Sequence, residues 1–447
     1  MVTTNIKLLS HKLKKFSRFA ELSFNYFALI YISLSILFSR TFTGIYIGPF
    51  RLGEYAFGLA VVFYFYYLIK NKNTSEYFIL QISTLFIFIV LIFYNSDPLL
   101  NPYIFKTSSY IWCLTYLFLG SNSKELILKK SHFKFIFGVL LYIYLISIFG
   151  LPRVVGELFL SISDKLELHK GSEIVLIFVL TLFIYNRSSE QNTNSLNIFI
   201  YTTSLFMPLI LYKSRAAFIA SMIFVIFELL KFRKKFKFSF KNILFTLTIS
   251  FTLLTASTLI SQRYVLSDSN LTDQISQAYV DLAKFRLGTY DSELPLLFID
   301  SGRLYSSDGN LNWRIQMWQD MFSYIDSSPS RYIYGVGFGE RLPVFDVSVF
   351  PDAKYRIGLD GLNEHLHNYW LTVFARGGLL HLLIFLYLYY YLFKKISCKR
   401  SFYESITFMI PILFVSFFDS SMENAHFPII FYFYLGNQFI NKYNNNF

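Results

Sequence analysis

His367 stands in the segment EHLHNYW, where a hydrophilic stretch gives way to an apolar block. An imidazole can take or give a proton near neutral pH. At the start of a membrane helix it would meet a substrate held at the lipid surface; the competing reading is an interface histidine bonded to backbone. His365 lies two residues away and faces elsewhere on a helix, which makes it a weaker candidate for substrate contact. A pair at i, i+2 is a poor helical metal site, and no HExxH or carboxylate cluster supports a metal. Arg215 lies in LYKSRAAFIA, between two apolar blocks. An arginine there is costly unless it meets water or an anion, and its planar fork suits a phosphate. Snorkelling to the interface is the alternative, and it fits the neighbouring Lys213 better still. Arg314, at the start of NWRIQMWQDMFSYI, could face the same pocket or be an ordinary surface charge. A proton-handling histidine and two arginines amount to acid–base and anion-binding chemistry.

Other candidates are less sharp. Arg286 and Arg303 could contact phosphate or sugar, and Glu340 and Glu364 could be acid–base groups. Glu423 and His426, near the end of the last apolar block, would line the same cavity or cap it. Arg51 and Glu54 are one helical turn apart, as a structural pair would be. Gly335, Gly337 and Gly339 permit tight backbone in SSPSRYIYGVGFGERLP. Their spacing and context are not those of a dinucleotide fingerprint; they make either a surface turn or a substrate-binding turn.

The elements that must position these residues are membrane-like. Of 447 residues, 54% are hydrophobic and 15% charged, with a mean hydropathy of +0.44. The apolar residues come in blocks: 20–38, 50–69, 76–94, 103–119, 133–150, 172–185, 195–212, 215–230, 241–260, 366–392, 402–419 and 425–441. Most approach the roughly 20 residues a helix needs to cross about 30 Å of hydrocarbon. A backbone in lipid must satisfy its own hydrogen bonds, so the blocks read as helices; barrel strands would be shorter and polar at every second residue. The expectation is an all-α polytopic membrane protein of about twelve spans with one large, mainly helical loop outside. It divides into an N-terminal bundle (1–262), the loop (263–365) and C-terminal helices (366–447). In the loop, 271–289 suits an amphipathic helix. Trp313, Met317 and Met321 recur at i, i+4 and i+8, as in a helix lying on a surface such as the membrane interface.

Basic residues set the orientation. With both termini in the cytoplasm, HKLKKFSR, KNK, KELILKK, KFRKKFKFSFK and KKISCKR all fall inside. The segment 263–364 falls outside with nine Lys/Arg against fourteen Asp/Glu, a net −5. The formal charge of +13 is thus explained by bases flanking helices, where they meet anionic lipid. No basic face of a soluble domain points to nucleic acid. The basic head runs into a permanent first helix without a small-residue cleavage site. Cys113 and Cys398 lie in a span and on a cytoplasmic flank, so the loop has no cysteine for a disulfide or zinc site.

The assembled pieces resemble the O-antigen ligase and polymerase superfamily. The resemblance rests on SRAAFIA, RIQMWQDMFSYIDSSPSRYIYGVGFG and HNYWLTVFARGGLLHLLIFLYLY, in that order and spacing, and covers roughly 200–441. It implies a bacterial inner-membrane enzyme with a periplasmic loop. The implied donor is a glycan on a polyprenyl pyrophosphate, transferred to a sugar hydroxyl without metal or cofactor. The family's histidine and arginines match His367, Arg215 and Arg314. His367 would activate or orient the acceptor hydroxyl, and the arginines would neutralise the leaving pyrophosphate. The acceptor is another lipid-linked repeat unit in a polymerase and lipid A–core in a ligase. The large loop, suited to two glycan chains, inclines the reading to a polymerase, with a flippase and a chain-length regulator as further partners. A lipid-glycan transporter is the rival from another class, but transporters bind near mid-membrane, and the residues here gather at one face.

Overall fold

The computed structural model of the chain describes residues 26–48, 50–70, 104, 107–122, 130–163, 169–188, 193–232, 240–265, 295–300, 302–339, 342, 366–399 and 401–437. Helix α1 (Tyr26–Thr43) leads through the two-residue antiparallel strands β1 (Tyr46–Ile47) and β2 (Phe50–Arg51) into α2 (Leu52–Lys70). There follow α3 (Ser109–Trp112), α4 (Thr115–Asn122), α5 (Lys130–Phe149), α6 (Arg153–Ile162), α7 (Gly171–Ser188), α8 (Thr193–Lys213), α9 (Arg215–Phe232) and α10 (Phe240–Val265). The hairpin β3 (Leu297–Asp300) and β4 (Arg303–Ser306) precedes α11 (Gly309–Asp326) and α12 (Pro329–Tyr334). The chain closes with α13 (Tyr369–Lys399), α14 (Phe402–Val415) and α15 (His426–Leu435).

Among the described residues four helices are long and apolar enough to cross a membrane: α1, α8, α10 and α13. The bent pair α5–α6, turning through 85° at Gly150 and Pro152, makes up to five. Helices α2, α7, α14 and α15 are shorter but apolar. The chain is therefore a mostly helical membrane protein, and each apolar block within the described residues contains helix. Two blocks differ from expectation in form. The 103–119 block is broken into α3 and α4, because Thr107, Ser108 and Thr115 turn their hydroxyls onto carbonyls three or four residues back and compete with the helical ladder. The 402–419 block stops being helical at Val415, four residues before Asp419. The 76–94 block and the 271–289 segment lie outside the described residues.

Helix α7 is the centre of the bundle. Its first ten residues are all buried, and it packs against α5, α8, α9, α14 and α15. Phe178, Phe206 and Phe224 meet there, with ring centroids 5.7 and 5.8 Å apart. Helix α15 is buried throughout, whereas α10 shows most of its apolar surface outward, as lipid allows. Where α1 ends, Glu54 accepts from the backbone N–H of Arg51 at 3.0 Å and caps α2, while the Arg51 guanidinium turns to the Tyr46 hydroxyl. The expected pair is structural, through a backbone rather than a purely side-chain contact.

The Trp313, Met317 and Met321 stripe does form one face of a helix, α11. That face is covered by protein: with Ile325 it packs on Leu342, Leu366 and Ala375, and Trp318 donates to the Leu366 carbonyl at 2.8 Å. The glycine turn also docks on α13. Val336 N–H donates to the Ala375 carbonyl at 2.7 Å and Gly337 N–H to the Arg376 carbonyl at 2.9 Å. The buried Arg376 returns a bond from Nη1 to the Gly337 carbonyl at 3.1 Å. Helix α13 is kinked there by Gly378 at φ 68°, and Gly335 faces it at φ 75°. A Cβ on Gly378 would lie 2.1 Å from the Ile333 carbonyl oxygen, and one on Gly335 2.5 Å from the Arg376 carbonyl carbon. Backbone meets backbone, which only glycine permits.

Candidate active site

Arg215 is the first residue of α9. The chain breaks between α8 and α9 at Ser214, whose hydroxyl accepts from the N–H of Ala217 at 3.3 Å and so caps the new helix. An arginine at this break stands beside unsatisfied helical N–H groups, a place that favours an anion. Its side chain is 85% exposed, and Nη1 lies 3.5 Å from Asp308 Oδ2. Asp308 is in turn the N-cap of α11, its Oδ1 accepting from Leu311 N–H at 3.0 Å.

Arg314 follows one and a half turns into α11, half-buried, and its Nε is buried with no hydrogen-bond partner among the described residues. Burial pulls its pKa down, while the carboxylates of Asp419 and Asp308 act to hold it up. Asp419, in the connector between α14 and α15, accepts from the Ser172 hydroxyl and from Ser420 N–H. The two expected arginines thus both bear on Asp308, while Asp419, from another element, bears on Arg314.

His367 joins the same region from the other side. Its ring meets Trp313 edge-on at 4.6 Å between centroids, one residue before Arg314. It precedes Asn368, which caps α13 by accepting from Leu371 N–H at 3.1 Å. His367 itself is left-handed at φ 51°, uncommon for a residue with a Cβ and costing about 1–3 kcal/mol. The HN pair therefore has a local reason: the asparagine starts the helix, and the histidine is turned off the helical path onto α11.

The first turn of α7 backs the site. At Gly171 a Cβ would lie 2.6 Å from that of Ser214, so this turn touches the break that carries Arg215. Ser172 holds Asp419. Glu173 accepts from Ser39, from its own Lys170 N–H at 3.3 Å, and pairs with His426 Nε2 at 2.6 Å. His426 is thus buried against Glu173, and the Glu423 carbonyl accepts from Ser109. His169 is buried beside this pair and bonds the Ile36 carbonyl at 2.7 Å. Burial lowers its pKa, the Glu173 charge opposes this, and the charges of His426 and Lys213 lower it further. Lys213 therefore sits next to the backing layer, at the end of α8.

Arg303 is placed differently. Its guanidinium binds Asp320 Oδ1 at 2.6 Å and Gln316 Oε1 at 3.1 Å, fixing the β3–β4 hairpin to α11. Arg286, Glu340, Glu364 and His365 lie outside the described residues. Sequence reasoning missed Asp308, Asp419 and Ser172. Asp419 carried a usable signal, an acid at the end of an apolar block; Asp308 was one acid among fourteen in 263–364.

Fold and site together define a helical membrane protein with an arginine–carboxylate cluster beside a histidine. Residues 199–386 match the family model described as O-antigen ligase, a match that supports the O-antigen ligase and polymerase superfamily. His367, Arg215, Arg314 and Asp308 all lie inside the matched region, and Asp419 lies beyond it. No curated protein and no solved structure matches the chain. The family match indicates a function of the O-antigen ligase or polymerase type.

Proposed function

We propose that the chain is a polymerase that joins polyprenyl-pyrophosphate-linked oligosaccharide repeat units at the periplasmic face of a bacterial inner membrane. Both termini would be cytoplasmic, with 1–262 and 366–447 in the membrane and 263–365 as the periplasmic unit. The observation that carries the reading is that Arg215 and Arg314, from two separate elements, both bear on Asp308, with the Arg314 Nε buried and without a hydrogen-bond partner among the described residues. Such a pair suits a pyrophosphate, whose oxygens accept from several directions. The acceptor hydroxyl oxygen attacks the anomeric carbon while the bond to the pyrophosphate oxygen breaks. His367 takes the hydroxyl proton, and the arginines neutralise charge growing on the leaving group. Attack opposite the leaving group inverts the anomeric centre. The residues in these roles need no nucleotide or metal; a flippase and a chain-length regulator would supply donor and limit product.

A second reading, transfer of the finished glycan to lipid A–core, is favoured by the description of the matched family model. The test uses the full chain in lipid nanodiscs with lipid-linked repeat units, alone and with lipid A–core, the products resolved by mass. Longer lipid-linked glycans from donor alone are expected. Glycan found only on lipid A–core would replace the polymerase by the ligase, and no transfer to either would sink both.

A further inference from the structure

Asp308 has two oxygens with two different tasks. Oδ1 caps α11, and Oδ2 stands 3.5 Å from Arg215. The first contact is local and short; the second reaches from α11 to the start of α9 and is long. It is also wet, with Arg215 85% and Asp308 32% exposed, so the pair is weak and easily exchanged. Asp419, the other carboxylate near Arg314, is held differently: a serine hydroxyl grips Oδ2 and a backbone N–H grips Oδ1. Arg215 lies by Asp308 and Arg314 by Asp308 and Asp419, and a pyrophosphate brings further negative charge. One carboxylate must then give up its arginine. Asp308 can do so through Oδ2 alone, keeping its cap through Oδ1.

We propose that Asp308 is a positioning residue that holds Arg215 between turnovers and competes with the pyrophosphate for it. This rests on the pyrophosphate reading given above. The pair opens when the donor binds and re-forms as polyprenyl pyrophosphate leaves. It keeps Arg215 turned toward α11 between cycles and shortens the residence of the product. No bond to Asp308 is made or broken in the transfer itself.

The experiment measures inorganic pyrophosphate binding to the full chain in nanodiscs, with donor kinetics in parallel. Asp308→Asn and Asp308→Ser both keep a good N-cap and remove the charge. Each is expected to bind pyrophosphate about two- to fivefold more tightly than wild type, the span set by an exposed ion pair. The donor KM falls by a similar factor, and kcat falls with it as product release slows. In an Arg215→Gln background the same changes at Asp308 have a smaller effect on pyrophosphate affinity, felt through Arg314 alone, an outcome that loss of a helix cap would not give. Unchanged or weaker binding in both single variants overturns the proposal, as does an equal gain in the Arg215→Gln background. If wild type binds pyrophosphate and Arg215→Gln weakens it while the Asp308 variants match wild type, only the competition fails. If wild type does not bind it at all, the pyrophosphate reading fails as well.

Discussion

Arg376 and the pair Arg215–Arg314 are arginines put to opposite uses. Arg376 is fully buried within α13 and bonds the Gly337 carbonyl, locking the glycine turn onto the kink at Gly378. Arg215 is exposed at a helix start 3.5 Å from Asp308, and Arg314 lies within the field of Asp419 and Asp308. Arg376 gives its Nη1 to a fixed backbone carbonyl; the other two lie near carboxylates that a stronger anion can displace. Burial alone does not mark a functional cation. What separates the regions is whether the donors end on fixed carbonyls or on exchangeable carboxylates.

The contrast is sharpest if chemistry and folding can be lost independently. The largest expected effect is at His367. His367→Asn suits the left-handed backbone but removes the base, so transfer should fall about 10²- to 10⁴-fold. The thermal melt in nanodiscs should stay at the wild-type midpoint, and retained transfer would remove His367 from the chemistry. Next, Arg314→Lys and Arg215→Lys keep the charge but lose the fork. Each is expected to lower kcat/KM about 10²-fold, with membrane abundance unchanged.

The scaffold side should give the reverse pattern. Gly378→Ala forces a Cβ against the Ile333 carbonyl at positive φ and should cost more than about 1–3 kcal/mol. Less folded protein is expected on size exclusion, with near-normal activity per folded molecule. If instead activity per molecule collapses while folding is intact, the glycine turn belongs to the site. The smallest effect is at Arg303→Ala. Loss of its bonds to Asp320 and Gln316 should destabilise the hairpin by about 1 kcal/mol and leave donor KM within twofold of wild type. A larger KM shift would return Arg303 to the substrate.

Much of this was legible beforehand. Hydropathy located the helices because lipid demands long apolar blocks, and the expense of an arginine between two of them marked Arg215. The Trp313–Met317–Met321 spacing revealed a helix but not its cover, since a stripe looks the same to lipid and to α13. The glycine turn was undecided for a related reason: close approach shows only when Arg376 and Gly378 lie opposite. Asp308 and Asp419 were hidden because their meaning lies in what they face across the fold. The 103–119 block misled because hydroxyls that divert the backbone still average into an apolar window.

The first turn of α7 has a bearing on how this gene can change. Gly171, Ser172 and Glu173, three residues in a row, meet Ser214, Asp419 and His426 in turn. Successive residues on a helix point about 100° apart, so a single codon inserted or deleted in this turn would rotate all three contacts away at once. Codons can be gained freely in surface loops, but this turn fixes the reading of the whole helix, and length variants here should be among the least tolerated in the chain.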